Sequence, residues 1–190
     1  MRSPDISRYG IVAQSLHWIT AALVLAAFTL GPGGSEEHVY AAARNSDRQW
    51  HETLGVMVFF ISTVRLAWAA VDRRPDPALA HPWMDSASRI VQGGLYLLLF
   101  AVPLTAIAGA WLENHPLTLV GDVNIIAPFA ADHALGAMIA EAHGWLGDAI
   151  LWLAGLHAAA AVYHHWMLGD RVLVSMLPDW LARLLPARRD

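Results

Sequence analysis

The 190-residue sequence predicts an all-α integral membrane protein in which four transmembrane helices form one bundle. Hydrophobic residues make up 56% of the chain, charged residues only 15%, and the mean hydropathy is +0.41. Four apolar runs, each close to the roughly 20 residues that span a bilayer, alternate with polar segments. We therefore expect a single domain over residues 1–190, with helices at about residues 11–30, 52–71, 90–111 and 143–168.

Glycine, proline and polar segments mark the predicted helices. The first stops at the Gly-Pro-Gly-Gly run of residues 31–34, and it is too long for the roughly 7–15-residue apolar core of a signal peptide. The second ends before the Pro-containing segment 72–77, and the third contains Pro103, which is expected to kink it. A long segment without Lys or Arg, residues 112–142, then leads to the fourth helix, which we expect to begin at His143.

The distribution of arginine predicts the orientation of the bundle. Two Arg precede the first helix, three lie between the second and third helices, and four lie in the C-terminal tail. The first loop holds only Arg44 and Arg48, among acidic neighbours, and the third loop holds none. Because cytoplasmic loops carry the excess of positive charge, both termini are expected in the cytoplasm.

Composition also limits the chemistry. The chain contains no Cys, which excludes structural disulfides, iron–sulfur clusters and covalently attached c-type haem. A non-covalent b-type haem that is held by histidine alone remains possible. The net charge of −4 and the scattered Arg residues give no indication of nucleic-acid binding.

Four histidines in the apolar runs fall into two level pairs. His51 and His143 open the two helices that run inward, whereas His17 and His157 lie in the inner half of their helices. His143 and His157 are fourteen residues apart, so they share one helix face about 21 Å apart. Each pair could supply both axial nitrogens of a six-coordinate haem. A single histidine in a membrane is more often a packing residue, but four in two level pairs favour ligation.

Small residues beside these histidines favour a flat cofactor. His51 and His143 both begin the pattern His-x-x-Leu-Gly, which places Gly55 and Gly147 one turn further along the same helix face. A missing side chain at each position leaves room for a porphyrin plane.

Two further residues carry candidate roles. Arg65 follows His51 by the same fourteen-residue interval, which places it at the inner level, where it could pair with a haem propionate or an anionic substrate. The alternative is that it extends to the cytoplasmic headgroups. His164 lies seven residues beyond His157, where it could deliver protons to a quinone, or could be an ordinary interfacial histidine.

These residues resemble the prokaryotic cytochrome b561 family, a group of four-helix diheme cytochromes of the bacterial inner membrane that includes superoxide oxidase. The resemblance spans nearly the whole chain and rests on these motifs: Arg8-Tyr9, Leu16-His17-Trp18, His51 with Gly55, Val64-Arg65-Leu66, Tyr96 with Pro103, and Gly155 to His165 through Met176-Leu177-Pro178. It implies two b haems whose iron ligands are His17, His51, His143 and His157. It also implies electron transfer from superoxide at the periplasmic face to ubiquinone, which would make the chain a superoxide:ubiquinone oxidoreductase.

Two alternatives remain open at this point. The chain could be a cytochrome b membrane anchor that relays electrons for a partner dehydrogenase or hydrogenase subunit. More distantly, it could be a histidine-lined metal-ion transporter, although the apolar runs hold few of the carboxylates that divalent ions commonly prefer.

Overall fold

The computed structural model describes residues 8–72 and 82–185. Arg2, Arg73 and Arg74 and the last two arginines of the tail, which enter the predicted orientation, lie outside the described residues. The described part forms these elements: α1 Ile11–Leu30, α2 Glu36–Val39, a 3-10 turn Ala42–Arg44, α3 Asn45–Val71, α4 Pro82–Leu112, β1 Leu117–Leu119, β2 Val123–Ile125, α5 His133–Tyr163, a π-helical turn His164–Leu168, α6 Val172–Met176 and α7 Asp179–Ala182.

Four of these helices are long and apolar enough to cross a membrane, and they form the bundle. They are α1, α3, α4 and α5 together with its π-helical turn. Within the bundle, α1 packs mainly against α3, and α4 packs mainly against α5. The buried apolar cluster between the helices consists of Val58 of α3, Leu99 of α4 and Ile150 of α5. Val58 and Ile150 each follow a predicted outer ligand by seven residues, so this core lies midway between the two histidine levels.

Three helices begin earlier than their apolar runs predict. The starts are Asn45, Pro82 and His133, rather than residues 52, 90 and 143. Polar interactions extend two of them: Arg48 pairs with Glu52 in the first turns of α3, and the Asp132 side chain caps α5 by accepting from the Leu135 amide. His51 and His143 therefore lie inside their helices rather than at the first residue. Both still lie toward the end of the bundle where segments 31–44 and 113–132 connect the helices.

The segment between α4 and α5 contains a small β-hairpin that the sequence pattern does not predict. Strands β1 and β2 are antiparallel, and Leu117 pairs with Ile125 and Leu119 with Val123. Gly121 and Asp122 at its tip have φ values of +87° and +60°, the left-handed backbone that turns a short hairpin.

At the opposite end of the bundle, the chain after α5 folds back onto the start of α1. Trp18 Nε1 donates to the Met176 carbonyl at 2.8 Å, and Gln14 Nε2 donates to the Ser175 carbonyl at 3.2 Å. Arg8 contacts the carboxylate of Asp179 and the carbonyl of Leu177. These contacts bring the first and last described segments together at one end, which we call the inner end; the end that carries the hairpin is the outer end.

Two histidine pairs and the candidate haem sites

The bundle brings the four predicted ligands together in the two predicted combinations. The ring centroids of His51 and His143 are 5.9 Å apart, and those of His17 and His157 are 6.4 Å apart. With about 2 Å for a metal–imidazole bond and about 1 Å from nitrogen to ring centroid, two imidazoles on one ion stand about 6 Å apart. Both spacings therefore suit a six-coordinate iron between the rings.

Backbone carbonyls orient both rings of the outer pair. His51 Nδ1 donates to the Ala27 carbonyl at 2.7 Å, and His143 Nδ1 donates to the Val102 carbonyl at 3.0 Å. A carbonyl only accepts, so in each ring the proton is on Nδ1 and the lone pair is on Nε2. This tautomer and this type of partner are typical of histidines that bind a metal through Nε2.

A cavity of about 820 Å³ adjoins the outer pair. Its walls include His51, His143, Gly55 and Gly147, and its size lies within the roughly 300–1,000 Å³ of typical ligand sites. A Cβ atom added at Gly55 or at Gly147 would meet no other atom within 4 Å. These two glycines therefore border open space, which a flat macrocycle could occupy, and the outer site fits haem b.

Three side chains on one face of α3 hold the hairpin at the outer end. The Glu52 carboxylate accepts from the Thr118 amide, and the Thr53 hydroxyl accepts from the Val120 amide at 2.9 Å. Gln49 Nε2 donates to the Asp122 carboxylate at 2.8 Å. Leu117, 4% exposed, lines the cavity. The Glu and Thr that follow His51, for which the sequence suggested no role, thus fix β1 beside the candidate site.

The cavity wall also carries a guanidinium with one unused donor. Arg48 donates to Glu52 at 2.8 Å and to Asn45 at 2.7 Å, and it lies 5.0 Å from the Tyr40 ring centroid. Its Nε is buried and has no hydrogen-bond partner in the described part of the chain. A haem propionate is a suitable acceptor for this donor.

The surroundings of the cavity are otherwise acidic. Glu113, 8% exposed, lines the cavity, and burial followed by the nearby Glu36 raises the pKa of its carboxyl. Burial and then the charge of Glu52 raise the pKa of the Tyr40 phenol. The second arginine of this end, Arg44, lies 3.4 Å from the carboxylate of Asp47. Both arginines of the outer segments are therefore already paired with carboxylates.

The inner pair has a different partner. Arg65 Nη2 donates to His17 Nδ1 at 2.9 Å, and its guanidinium carbon lies 5.3 Å from the centroid of the Tyr96 ring. Arg65 therefore reaches the inner histidine level, as the fourteen-residue interval predicts. When His17 Nδ1 accepts this bond, the proton of its neutral ring is on Nε2. Iron ligation through Nε2 then requires Arg65 to move its hydrogen bond to another acceptor, for which a propionate is suited.

The residues one helical turn beyond the inner ligands are small, but they differ in how closely other side chains pack against them. Ala160 and Ala161 follow His157 at these positions, whereas Thr20 follows His17 and is only 3% exposed. The Thr20 hydroxyl donates to the Leu16 carbonyl at 2.7 Å, so this side chain is part of the packed core. At this level the α5 side carries only small side chains, whereas the α1 side is packed.

His164 is held by the carboxylate of Asp170, for which the sequence pattern indicated no role. His164 Nδ1 contacts one oxygen of Asp170, whose other oxygen accepts from the Val172 amide at 3.0 Å. The π-helical turn that starts at His164 and the left-handed Gly169, with φ +66°, bring Asp170 back toward the ring. The ring is thus fixed through Nδ1.

Comparison with known proteins identifies the family of this chain. A model of the prokaryotic cytochrome b561 family matches residues 8–179. "Cytochrome b561 homolog 2" of Escherichia coli (strain K12) is 26% identical over 90% of this chain and 91% of its own. "Probable superoxide oxidase CybB" of Yersinia pestis is 25% identical over 90% and 96%, and "Cytochrome b562" of Cereibacter sphaeroides is 29% identical over 93% and 97%.

The family match covers most of the described residues, including both histidine pairs and Arg65. The chain therefore belongs to the prokaryotic cytochrome b561 family of membrane proteins, which bind haem b and transfer electrons.

Proposed function

We propose that this chain holds two b haems, one at each histidine pair, and carries electrons across the bacterial inner membrane to ubiquinone. The observation that carries the proposal is the presence of two histidine pairs, each with a ring spacing near 6 Å, at two levels of one apolar bundle. By the distribution of arginine, the outer end faces the periplasm and both termini face the cytoplasm.

Haem b, when bound, supplies one-electron transfer at a potential that the protein adjusts. The residues of the chain hold, orient and insulate it. His51 and His143 are the outer ligands and His17 and His157 the inner ligands, while Arg65 compensates negative charge at the inner level. Between the two levels, Val58, Leu99 and Ile150 pack closely and exclude water.

His164 is the proposed proton donor to ubiquinone at the inner end. Reduction of ubiquinone to ubiquinol consumes two electrons and two protons, so a titratable group is needed close to the cytoplasm. Because Asp170 fixes Nδ1, the Nε2 of His164 is the nitrogen that can give a proton and be reprotonated.

Superoxide is the proposed donor at the outer end, since a relative is named a probable superoxide oxidase. Two superoxide ions would be oxidised to two molecules of oxygen for each ubiquinone reduced. The second candidate is a membrane anchor that relays electrons from a partner dehydrogenase or hydrogenase. The pairing of Arg44 with Asp47 and of Arg48 with Glu52 favours this candidate, because neither cation remains unpaired to attract superoxide.

A transporter of free metal ions is not supported. The described residues contain no group of three or more His, Asp or Glu side chains that could hold a metal ion.

The purified full-length chain tests the proposal. We expect a reduced b-type absorption band, two haems per chain by pyridine haemochrome analysis, and superoxide-driven ubiquinone reduction in proteoliposomes. Fewer than two haems would contradict the diheme assignment. Two haems without superoxide-driven activity, together with co-purification of a cofactor-bearing soluble subunit, would establish the anchor role instead.

A further inference from the structure

We propose that the C-terminal turn of α1 is a positioning element for the outer ligand His51, and that Gly31 sets the orientation of its imidazole. The inference rests on the proposed function, in which His51 binds the outer haem. It concerns residues that the pattern of helices and histidines gives no reason to select, since Gly31 otherwise only ends α1.

The first step is the release of a backbone acceptor. In a regular helix, the Ala27 carbonyl would accept from the amide of Gly31, and the Phe28 carbonyl from the amide of residue 32. Residue 32 is proline and has no N–H to donate. The Gly31 amide instead donates to Phe28 at 3.3 Å. Ala27 is thereby left without its helical donor, and it accepts from His51 Nδ1 at 2.7 Å.

The second step is the close approach of the ring. A Cβ atom at Gly31 would lie 3.3 Å from both Nδ1 and Cε1 of His51, which is closer than an ordinary van der Waals contact. The backbone of Gly31 has an ordinary φ of −63°, so the glycine is required by this contact and not by its conformation. An alanine here would require the His51 ring to shift by a few tenths of an ångström, and the shift changes its hydrogen bond to the Ala27 carbonyl.

Together, the two steps set the position of the ring. The Ala27 carbonyl fixes the direction of Nδ1, and the missing side chain at Gly31 leaves the space that the ring needs to reach this carbonyl. The orientation of an axial imidazole influences both the electronic structure and the potential of a low-spin haem. Gly31 is therefore a positioning residue that acts through His51.

The test replaces Gly31 in the full-length, haem-loaded protein. We expect G31A to change the electron paramagnetic resonance signal of the oxidised outer haem and its reduction equilibrium by about three- to tenfold, where tenfold corresponds to 59 mV for one electron. The inner haem signal and potential should not change. G10A, at the other end of α1, is the matched control, because a Cβ at Gly10 meets no other atom within 4 Å and Gly10 does not line the outer cavity.

A second variant covers the case in which G31A does not load haem. P32A adds no bulk beside His51 but restores the amide that Phe28 can use, so that Gly31 can donate to Ala27 and compete with His51. We expect P32A to shift the same outer signal as G31A.

Three results separate the possible failures. An unchanged outer signal in G31A, or an equal shift in G10A, would overturn the inference. If G31A does not load haem, an unchanged outer signal in P32A would overturn it. A wild-type protein without an outer haem signal would instead show that the proposed function is wrong.

Discussion

The outer and inner histidine pairs have similar ring spacings but very different surroundings. Both outer rings donate from Nδ1 to carbonyls of neighbouring helices, and they adjoin a large cavity with glycine walls. At the inner pair, His17 Nδ1 instead accepts from the cationic side chain of Arg65. The outer site is thus oriented by backbone groups, whereas the inner site depends on a charged side chain that can change partners.

This difference predicts different redox properties for the two sites. Backbone carbonyls hold the outer ligands in one tautomer and one orientation, which suits a site that passes electrons without taking up protons. At the inner site, the positive charge of Arg65 favours the reduced, less positive state of a nearby haem. The inner haem should therefore be the better electron acceptor, in keeping with transfer from the outer end to a quinone.

Loss of a single ligand should give the largest effect. We expect His143→Ala to lower the haem content from two to one per chain, with only the inner haem remaining, and His157→Ala to leave only the outer haem. The measurement is haem quantification with a redox titration of the purified variants. If either substitution removed both haems from a folded protein, the assignment of two independent pairs would be wrong.

The next effect comes from filling the outer cavity without touching a ligand. A leucine at Gly147 would extend into the space that the outer haem is proposed to occupy, so Gly147→Leu should lose most of the outer haem and retain the inner one. Gly93→Leu is the matched control, since a Cβ there also meets no atom within 4 Å but Gly93 does not line this cavity. Equal haem contents in the two variants would show that the haem lies elsewhere.

The four-helix architecture was accessible from the sequence because apolar runs report directly on membrane helices. The extent of Ile11–Leu30 follows from such a run. The early starts of α3 and α5 do not, because their first turns are polar and are stabilised by Arg48–Glu52 and by the Asp132 cap. The hairpin near Gly121 was missed because its strands are three residues long and are held by side chains of α3.

A substitution of Arg65 tests the electrostatic side of the comparison. Arg65→Gln removes a cation near the inner haem, so the inner midpoint should fall while the outer midpoint stays constant. A charged hydrogen bond is worth about 1.5–3 kcal/mol, and a tenfold change, about 1.4 kcal/mol, corresponds to 59 mV for one electron, so a fall of up to about 65–130 mV is expected. Arg65→Lys, which keeps the charge, should recover part of the difference. Unchanged midpoints in both variants would place Arg65 away from the inner haem.

The candidate site was predictable to the extent that it depends on side-chain spacing along helices. The fourteen-residue interval placed Arg65 level with the inner pair, and the His-x-x-Leu-Gly pattern indicated open space at Gly55 and Gly147. The partners of the outer rings are backbone carbonyls, which every residue possesses, so Ala27 and Val102 carry no signal in the sequence. Their roles depend on how neighbouring helices pack.

The smallest expected effect is on stability, and it concerns Glu113, an acidic residue in the wall of the outer cavity. Glu113 accepts no hydrogen bond in the described part of the chain, and burial, then Glu36, raises the pKa of its carboxyl while His115 and His133 lower it. Because the pKa is higher in the folded than in the unfolded state, ionisation of Glu113 opposes folding, and stability is lost as the pH rises through the folded pKa.

Glu113→Gln removes this ionisation without the loss of a hydrogen bond. It should slightly raise the melting temperature at pH 7, measured by the absorbance of the outer haem. The difference from wild type should vanish as the pH falls below the ordinary range of a Glu carboxyl, where the wild-type group is protonated in both the folded and the unfolded state. The inner haem band should melt alike in both proteins if the two sites unfold separately. A stabilisation of the same size at both pH values would mean that the amide improves packing, and that the charge of Glu113 does not weaken the outer end.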